Sequence, residues 1–492
     1  MSEKNTELKR QLNPMHVWAL AFGCVVGWGS FINPGKKFLF NSGVAGTAIA
    51  MALGALVMII IAFSYAYMVP KYPKAGGEFT FAKACFGKRP AYICGWFLVA
   101  AYLTNVPMNS TAIGLIVDGL DWSLDILKWG FHYQIAGFDV WAGEMFLAMA
   151  ILILFGIFNI LGVKKAGIIQ TILAVLLAGS VLIITIAALV SSNATFENME
   201  PLWGFDKSNA MEDFANGTYT SVDKYAHGGS IGIASAILAT FAIAPWAFVG
   251  FDTIPQAAEE FKFPYKKVAI IMIVAILFGC FVYIANNTIA AAALEKWPDL
   301  IVESSSTPWL LLAAAERLLG TPGKVLIGVA VSCAVLSGIM GFYLAASRLM
   351  YSMSRDGYLP KWFGIIDEKH GTPKNALIFC IVISLSGPIL GREALGWFVD
   401  MSAIGASIGY FFTCACTLVT MKRSGDSTPF LKCFAWLGVV FSVVFMILQL
   451  IPIPGLSGVH FCTESYILLL VWIVIGIVFY TKQKRFFDDE NS

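Results

Sequence analysis

Long apolar runs dominate this chain, and they leave few folds open to it. A helix needs roughly 20 mostly apolar residues to cross a bilayer. Twelve stretches approach or exceed that length: 14–35, 43–69, 91–117, 138–160, 167–191, 229–255, 267–293, 324–351, 375–391, 395–421, 431–453 and 463–481. In lipid, every backbone N–H and C=O must find its partner within the chain, so runs of this length read as helices. The expectation is an all-α integral membrane protein with 12 transmembrane helices. Composition agrees, with 58% hydrophobic and only 13% charged residues, where soluble domains carry about a quarter charged. This excludes an ordinary soluble enzyme, a disordered chain and a nucleic-acid-binding protein. With 33 Lys and Arg against 31 Asp and Glu, the net charge says nothing about partners.

The placement of the basic residues sets an orientation. With the N-terminus in the cytoplasm, Lys71, Lys74, Lys83, Lys88, Arg89, Lys262, Lys266, Lys267, Arg355, Lys361, Lys369 and Lys374 all fall on the inner side. Lys36 and Lys37 fall outside. Such a bias follows the positive-inside rule. An even number of spans returns the C-terminus to the cytoplasm with Lys482, Lys484 and Arg485. The polar opening MSEKNTELKRQ and the long run behind it do not read as a cleavable leader. The expected organisation is a cytoplasmic tail 1–13 and a core 14–421. The core holds two five-helix blocks, 14–191 and 229–421, around an external loop 192–228. Two further helices cover 422–481, and 482–492 form a second cytoplasmic tail. The expected location is the plasma or inner membrane of a cell, with lipid as the surrounding partner.

The ten cysteines lie mostly inside apolar runs and read as small packing residues, without a disulfide framework. The five histidines are scattered singly, so no metal site and no cofactor are expected. No cluster of His, Cys, Asp or Ser suggests catalysis, which argues against an enzyme. A channel is disfavoured too, for want of a repeated filter-like segment.

Two spans are interrupted in ways an inert anchor would not need. The first reads GCVVGWGSFINPG, with Gly23, Gly27, Gly29 and Gly35 beside Pro34. The sixth reads APWAFVGFDTIPQAAEE, with Pro245, Gly250 and Pro255, and with Asp252 as its one ionisable residue within 229–255. A charge inside a membrane is costly and marks function by default. Interrupted helices at corresponding places in two halves point to the substrate site of a transporter. An interruption exposes N–H groups that favour a carboxylate and C=O groups that favour an ammonium or a cation, so a zwitterion fits between two of them.

The motifs resemble those of the amino acid–polyamine–organocation transporter superfamily over roughly 12–485. Gly27-Trp28-Gly29-Ser30-Phe31 with Asn33-Pro34-Gly35 is similar to its helix-1 break. Tyr72-Pro73-Lys74-Ala75-Gly76-Gly77-Glu78-Phe79, with Phe86-Gly87 and Gly95-Trp96, is similar to its helix 2–3 loop. Phe248-Val249-Gly250-Phe251-Asp252, then Ala258-Glu259-Glu260 and Pro264, is similar to helix 6 and its exit. Ala346-Ser347-Arg348, Met353, Arg355-Asp356-Gly357 and Leu359-Pro360-Lys361-Trp362, followed by Gly371-Thr372-Pro373 and Asn375-Ala376, is similar to the loop after helix 8. The resemblance implies a 5+5 inverted-repeat transporter core with discontinuous helices 1 and 6 plus two C-terminal helices. It implies alternating access around a small amino acid or amine. By resemblance, the substrate carboxylate meets the amides of Trp28, Gly29 and Ser30, and its ammonium meets carbonyls near Trp246, Phe248 and Val249. Trp246 or Phe248 would gate the site, and Phe342 would face the substrate.

Several proton-coupled relatives carry a helix-5 lysine, but alignment on Gly162-Val163-Lys164 and Gln170 places Leu177 there. The coupling ion, proton or sodium, stays open, as does exchange without an ion. A sodium site would draw on helix-1 carbonyls with Ser332 or Ser337. Asp252 is a candidate proton carrier, and Glu259 and Glu260 read as interfacial. Arg348, Arg355 and Asp356 could pair with Glu78 or Glu259 across the inner face. Intramembrane acids are few, namely Asp252, Asp400 and Glu144, which argues against a strongly cationic substrate. The leading reading is therefore a secondary active transporter, permease or exchanger, for a neutral amino acid or related small amine. The alternatives are an amine or polyamine transporter and a membrane nutrient receptor that does not transport.

Overall fold

A computed structural model describes residues 8–119, 126–135, 138–303, 309–391, 394–426, 428–452 and 460–483. The expected tails therefore fall mostly outside it, as do Lys484 and Arg485. Apart from one hairpin, the regular elements of the described chain are helices. Its helices are α1 (Pro14–Val25), α2 (Gly29–Asn33), α3 (Leu39–Met68), α4 (Gly77–Phe86), α5 (Lys88–Gly119), α6 (Ala142–Ile160), α7 (Val163–Val190) and α8 (Lys207–Ala215). They continue as α9 (Gly229–Phe241), α10 (Ala244–Ala247), α11 (Thr253–Gln256), α12 (Val268–Ala292), α13 (Trp297–Glu303) and α14 (Leu310–Leu319). The last are α15 (Thr321–Arg355), α16 (Lys374–Ser384), α17 (Ser386–Leu390), α18 (Ala394–Ser424), α19 (Pro429–Leu450) and α20 (Thr463–Lys482).

Among the described residues, nine helices are long and apolar enough to cross a membrane. Three shorter apolar helices, Pro14–Val25, Gly229–Phe241 and Lys374–Leu390, complete the segments read from the sequence. Two of these are short for the same reason: α1 and α9 are halves of interrupted spans. The first span continues from α2 through a π-helical turn, Pro34–Phe38, into α3. Gly43, at φ 63°, then bends the chain from the first span into the second. Only glycine adopts that conformation cheaply. The Asn287 amide donates to the Gly43 carbonyl at 3.2 Å, and Leu202 of the long connecting segment accepts from Ala45 N at 3.0 Å. Residues 138–141, expected to begin a membrane span, instead form the second strand of the hairpin β1 (His132–Ile135) and β2 (Phe138–Trp141). The alternation Phe-Asp-Val-Trp suits a two-faced strand.

The helices pack in a pattern that repeats with an offset of five segments. Counted from the N-terminus, the third segment (α5) packs on the tenth (α18), as the eighth (α15) packs on the fifth (α7). The first (α1, α2) packs on the seventh (α12), as the sixth (α9, α10) packs on the second (α3). Exchanging each segment for its counterpart five places away among the first ten turns one pair into the other. The outward faces of α7 and α20 carry exposed Ile172, Val175, Ile183, Leu470 and Val474, the surface that lipid solvates. The chain is thus a multi-pass membrane protein. Eight of the ten cysteines are buried; Cys433, in the first turns of α19, and Cys462, just ahead of α20, are exposed.

Candidate functional site

Both interruptions occur where the sequence places its glycines. The α1 helix ends at Val25, and Val26 leaves helical geometry at ψ 80°. The amides of Gly27, Trp28 and Gly29 then have no backbone partner among the described residues. Ser30 N, expected to be free, donates instead to Gly27 O at 3.2 Å, and the Ser30 hydroxyl donates to the same carbonyl at 3.0 Å. The free amides therefore sit one residue earlier than the motif suggests. In the sixth segment, Val249 N donates to Trp246 O at 3.2 Å, so that carbonyl is engaged. The carbonyls of Phe248 and Val249 have no backbone partner among the described residues.

The two breaks touch. Gly250 has φ 143°, and a Cβ on it would lie 2.5 Å from Val25 N and 2.6 Å from Cys24 Cβ. A Cβ on Gly29 would overlap the Trp246 indole. The rings of Trp28 and Trp246 lie 6.1 Å apart, centroid to centroid. Beside them is a cavity of about 270 Å3, walled in part by Gly27, Trp28, Met108, Trp246, Tyr283 and Phe342. Cys24, Val25, Asn105, Asn109 and Val249 complete its lining. No Asp, Glu, Lys, Arg or His lines it. Of the residues singled out from the sequence, Trp28, Trp246, Val249 and Phe342 line the cavity, whereas Gly29, Ser30, Phe248 and Asp252 stand behind its wall.

Sequence reasoning passed over Asn105, Met108, Asn109 and Tyr283. The signal for three of them was present: Asn105 and Asn109 stand four apart within a membrane-length helix, and so share a face with Met108 near it. Asn105 Nδ2 donates to Ser402 Oγ at 2.6 Å, and Asn109 Nδ2 donates to Asn105 O at 2.7 Å.

Asp252 is fully buried. Its Oδ1 accepts from Gly250 N at 2.7 Å and its Oδ2 from the Tyr102 hydroxyl at 2.9 Å, which fixes the backbone of the break. Glu78, read as part of the basic inner-face stretch, is fully buried as well and pairs with no arginine among the described residues. Its Oε1 accepts from the Tyr65 hydroxyl at 2.6 Å, and its Oε2 accepts from Gln256 Nε2 at 2.6 Å. Burial, and after it the Asp252 charge, push the Glu78 carboxyl up to about 8. The ion pairs on that face are Arg355 with Glu259 at 2.7 Å, Lys83 with Asp356 at 2.8 Å, and Arg348 with Glu260 at 3.0 Å. Glu260, expected at the interface, has no exposed surface, nor has Arg348. The turn Ala258–Glu260 aims it inward.

The helix-5 residue that reaches between the first and eighth segments is Gln170, two turns from the buried Leu177 on the same face of α7. Its Nε2 donates to Ala19 O and to Ser337 O, each at 3.2 Å, while Ser337 Oγ donates to Gly23 O at 3.0 Å. Two helix-1 carbonyls beside Ser337, those of Ala19 and Gly23, thus accept from protein donors. Ser332 is half-buried.

Comparison with known proteins adds the decisive observation. Residues 12–479 match the amino acid permease family. The chain belongs to that family. The permease is 24% identical to a branched-chain amino acid permease of Bacillus subtilis (strain 168), over 97% of its own chain and 94% of the relative. It is 26% identical to the human large neutral amino acids transporter small subunit 2, over 77% of the permease and 64% of the relative. Against the mitochondrial cationic amino acid transporter 3 of Arabidopsis thaliana it is 24% identical, over 85% and 62% respectively. These relatives are transporters rather than enzymes.

Proposed function

We propose that this permease is a secondary active transporter of a neutral amino acid, working by alternating access across the cell membrane with both termini in the cytoplasm. The cavity between the two breaks carries the reading. Its lining includes Gly27 and Trp28, whose amides have no backbone partner, on one side, and Val249, whose carbonyl has none, on the other. The amides suit a carboxylate and the carbonyl an ammonium. The remaining wall is apolar or neutral, which favours an uncharged side chain over a cationic one. This weighs against the polyamine alternative, since each extra ammonium would enter without a counter-charge. Of the relatives, two are named for branched-chain and large neutral amino acids and one for cationic amino acids, so the cavity lining carries the choice.

A ligand-induced thermal shift, pairing each α-amino acid with its decarboxylated amine, tests the site. At ~100 times its dissociation constant, a ligand of the folded state stabilises by about 2.7 kcal/mol. Neutral amino acids should stabilise and their amines should not. Stabilisation by amines alone would remove the carboxylate half of the site. Counterflow of labelled amino acid in sealed vesicles then separates a carrier from a receptor that binds without moving its ligand.

A further inference from the structure

Two carboxyl groups lie buried behind the sixth-segment break, with no cation beside them among the described residues. Glu78 and Asp252 each have no exposed surface. The Tyr102 hydroxyl stands between them, 2.9 Å from Asp252 Oδ2 and 3.5 Å from Glu78 Oε1. Its single proton can serve one of the two. The other groups facing the pair are Tyr65 on α3, Cys94 on α5, Gln256 on α11, Tyr410 on α18 and, beside Asp252, Cys24 on α1. All are neutral. Of the charged groups on the adjoining elements, Arg348 is paired with Glu260, Arg355 with Glu259 and Lys83 with Asp356, and Arg423 donates to the carbonyls of Ala84 and Cys85. Two like charges buried without a counter-ion repel, and one of them takes a proton.

Geometry says which. Asp252 accepts from a backbone N–H and a hydroxyl, the set that suits an ionised carboxylate. Glu78 faces an amide that can answer either form. Gln256 Nε2 donates to Glu78 Oε2, while Gln256 Oε1 has no partner among the described residues. Half a turn of that amide presents Oε1 to the same carboxyl oxygen and accepts an acid proton from it. The cluster also joins elements that must part if α11 moves. A Cβ on Gly77, at the start of α4, would lie 2.8 Å from Gln256 Nε2 and 2.9 Å from Pro255 Cβ.

We propose that Glu78 is a proton-binding site of this permease, occupied while α4 is seated on α11 and emptied to water when the two separate, so that the proton travels as the coupling ion. The step breaks the Glu78 O–H bond and leaves a hydrated carboxylate and a hydrated proton. The coupling half of the proposal rests on the carrier reading above; the site itself does not. Its sign follows from linkage. The seated packing holds one proton more than the opened one between the ordinary carboxyl value of 4.5 and about 8. That support is complete below the lower value and lost as pH rises through the upper one.

Infrared difference spectroscopy of the purified full chain, titrated from about pH 6 to about pH 9, reads the proton directly. The wild type should show the carbonyl band of a protonated, buried carboxyl that fades on the alkaline side, and Glu78→Gln should lack it. Asp252→Asn should move its loss to lower pH, because a repelling charge is gone. A Glu78→Gln spectrum that keeps the band, or an Asp252→Asn titration unmoved or shifted upward, overturns the site. Should Glu78→Gln fail to fold, the Asp252→Asn shift decides alone. In proteoliposomes, an inward proton gradient should accelerate wild-type uptake severalfold but leave Glu78→Gln unaccelerated; equal acceleration of both overturns the coupling. A wild type that shows the band but no amino acid counterflow would remove the carrier reading and leave the proton site standing.

Discussion

At the scale of single residues, three glycines of the two breaks meet different surroundings and predict different losses. Gly250 combines φ 143° with contact to the Val25 amide. Alanine there is expected to cost about 1–3 kcal/mol through backbone strain alone, with the ligand-induced thermal shift lost as the breaks are pushed apart. Gly29→Leu should insert in the membrane yet bind nothing, because its side chain takes the place of the Trp246 indole; normal uptake by that variant would sink the site. A Cβ on Gly27 meets nothing within 4 Å. Gly27→Ala is therefore expected to melt like the wild type while larger substrates lose affinity, which competition uptake with side chains of graded size would show. The sequence displayed these glycines openly, since glycines clustered in an apolar run weaken a continuous helix and so mark a break or a close approach. It did not display Glu78. In a stretch with Lys71, Lys74 and Lys83, a carboxylate looks solvated, and only the tertiary approach of Tyr65 and Gln256, from distant elements, makes it an inside residue.

At the scale of elements, the short pieces matter more than the long ones. The α11 helix is four residues long and is held by its neighbours: Asp252 at one end, Gln256 on α4, and the turn Ala258–Glu260 on α15. Arg348 and Glu260 form a buried pair in which the guanidinium donates twice, at 3.0 and 3.3 Å. Arg348→Met would strand a carboxylate and should cost about 3–5 kcal/mol, read as a lowered melting temperature. Combining it with Glu260→Leu should restore most of that loss. An exchange at Arg355 is expected to do less, its pair with Glu259 being partly in contact with solvent. That basic residues at the end of α15 pair with acids after the sixth span was foreseeable from their signs. Which acid took which arginine was not, because one turn of helix after Gln256 decides the direction of both glutamates. The hairpin before α6 shows the same limit, for an apolar alternation of four residues fits the start of a helix almost as well as a strand.

At the scale of the whole molecule, hydropathy alone was enough for the class of fold, since nothing but helices can bury so many consecutive apolar residues in lipid. The exchange of packing partners by five segments needed coordinates, because each long helix is apolar nearly all round and its pattern does not name its neighbours. The segment before α9 was equally silent. Its carbonyl at Leu202 and its amide at Phe205 clasp the chain on either side of Gly43, at 3.0 and 2.7 Å, through backbone groups that every residue type possesses. The proposed orientation can be read without introducing a single mutation. Cys433 and Cys462 are the two exposed thiols among ten cysteines, and the length of α19 separates them. With the termini inside the cell, a maleimide that cannot cross membranes should tag Cys462 on intact cells and reach Cys433 only after the membrane is opened. The opposite order would turn the molecule over. The unaltered permease thus carries its own pair of sidedness markers, one in the first turns of α19 and one at the start of α20.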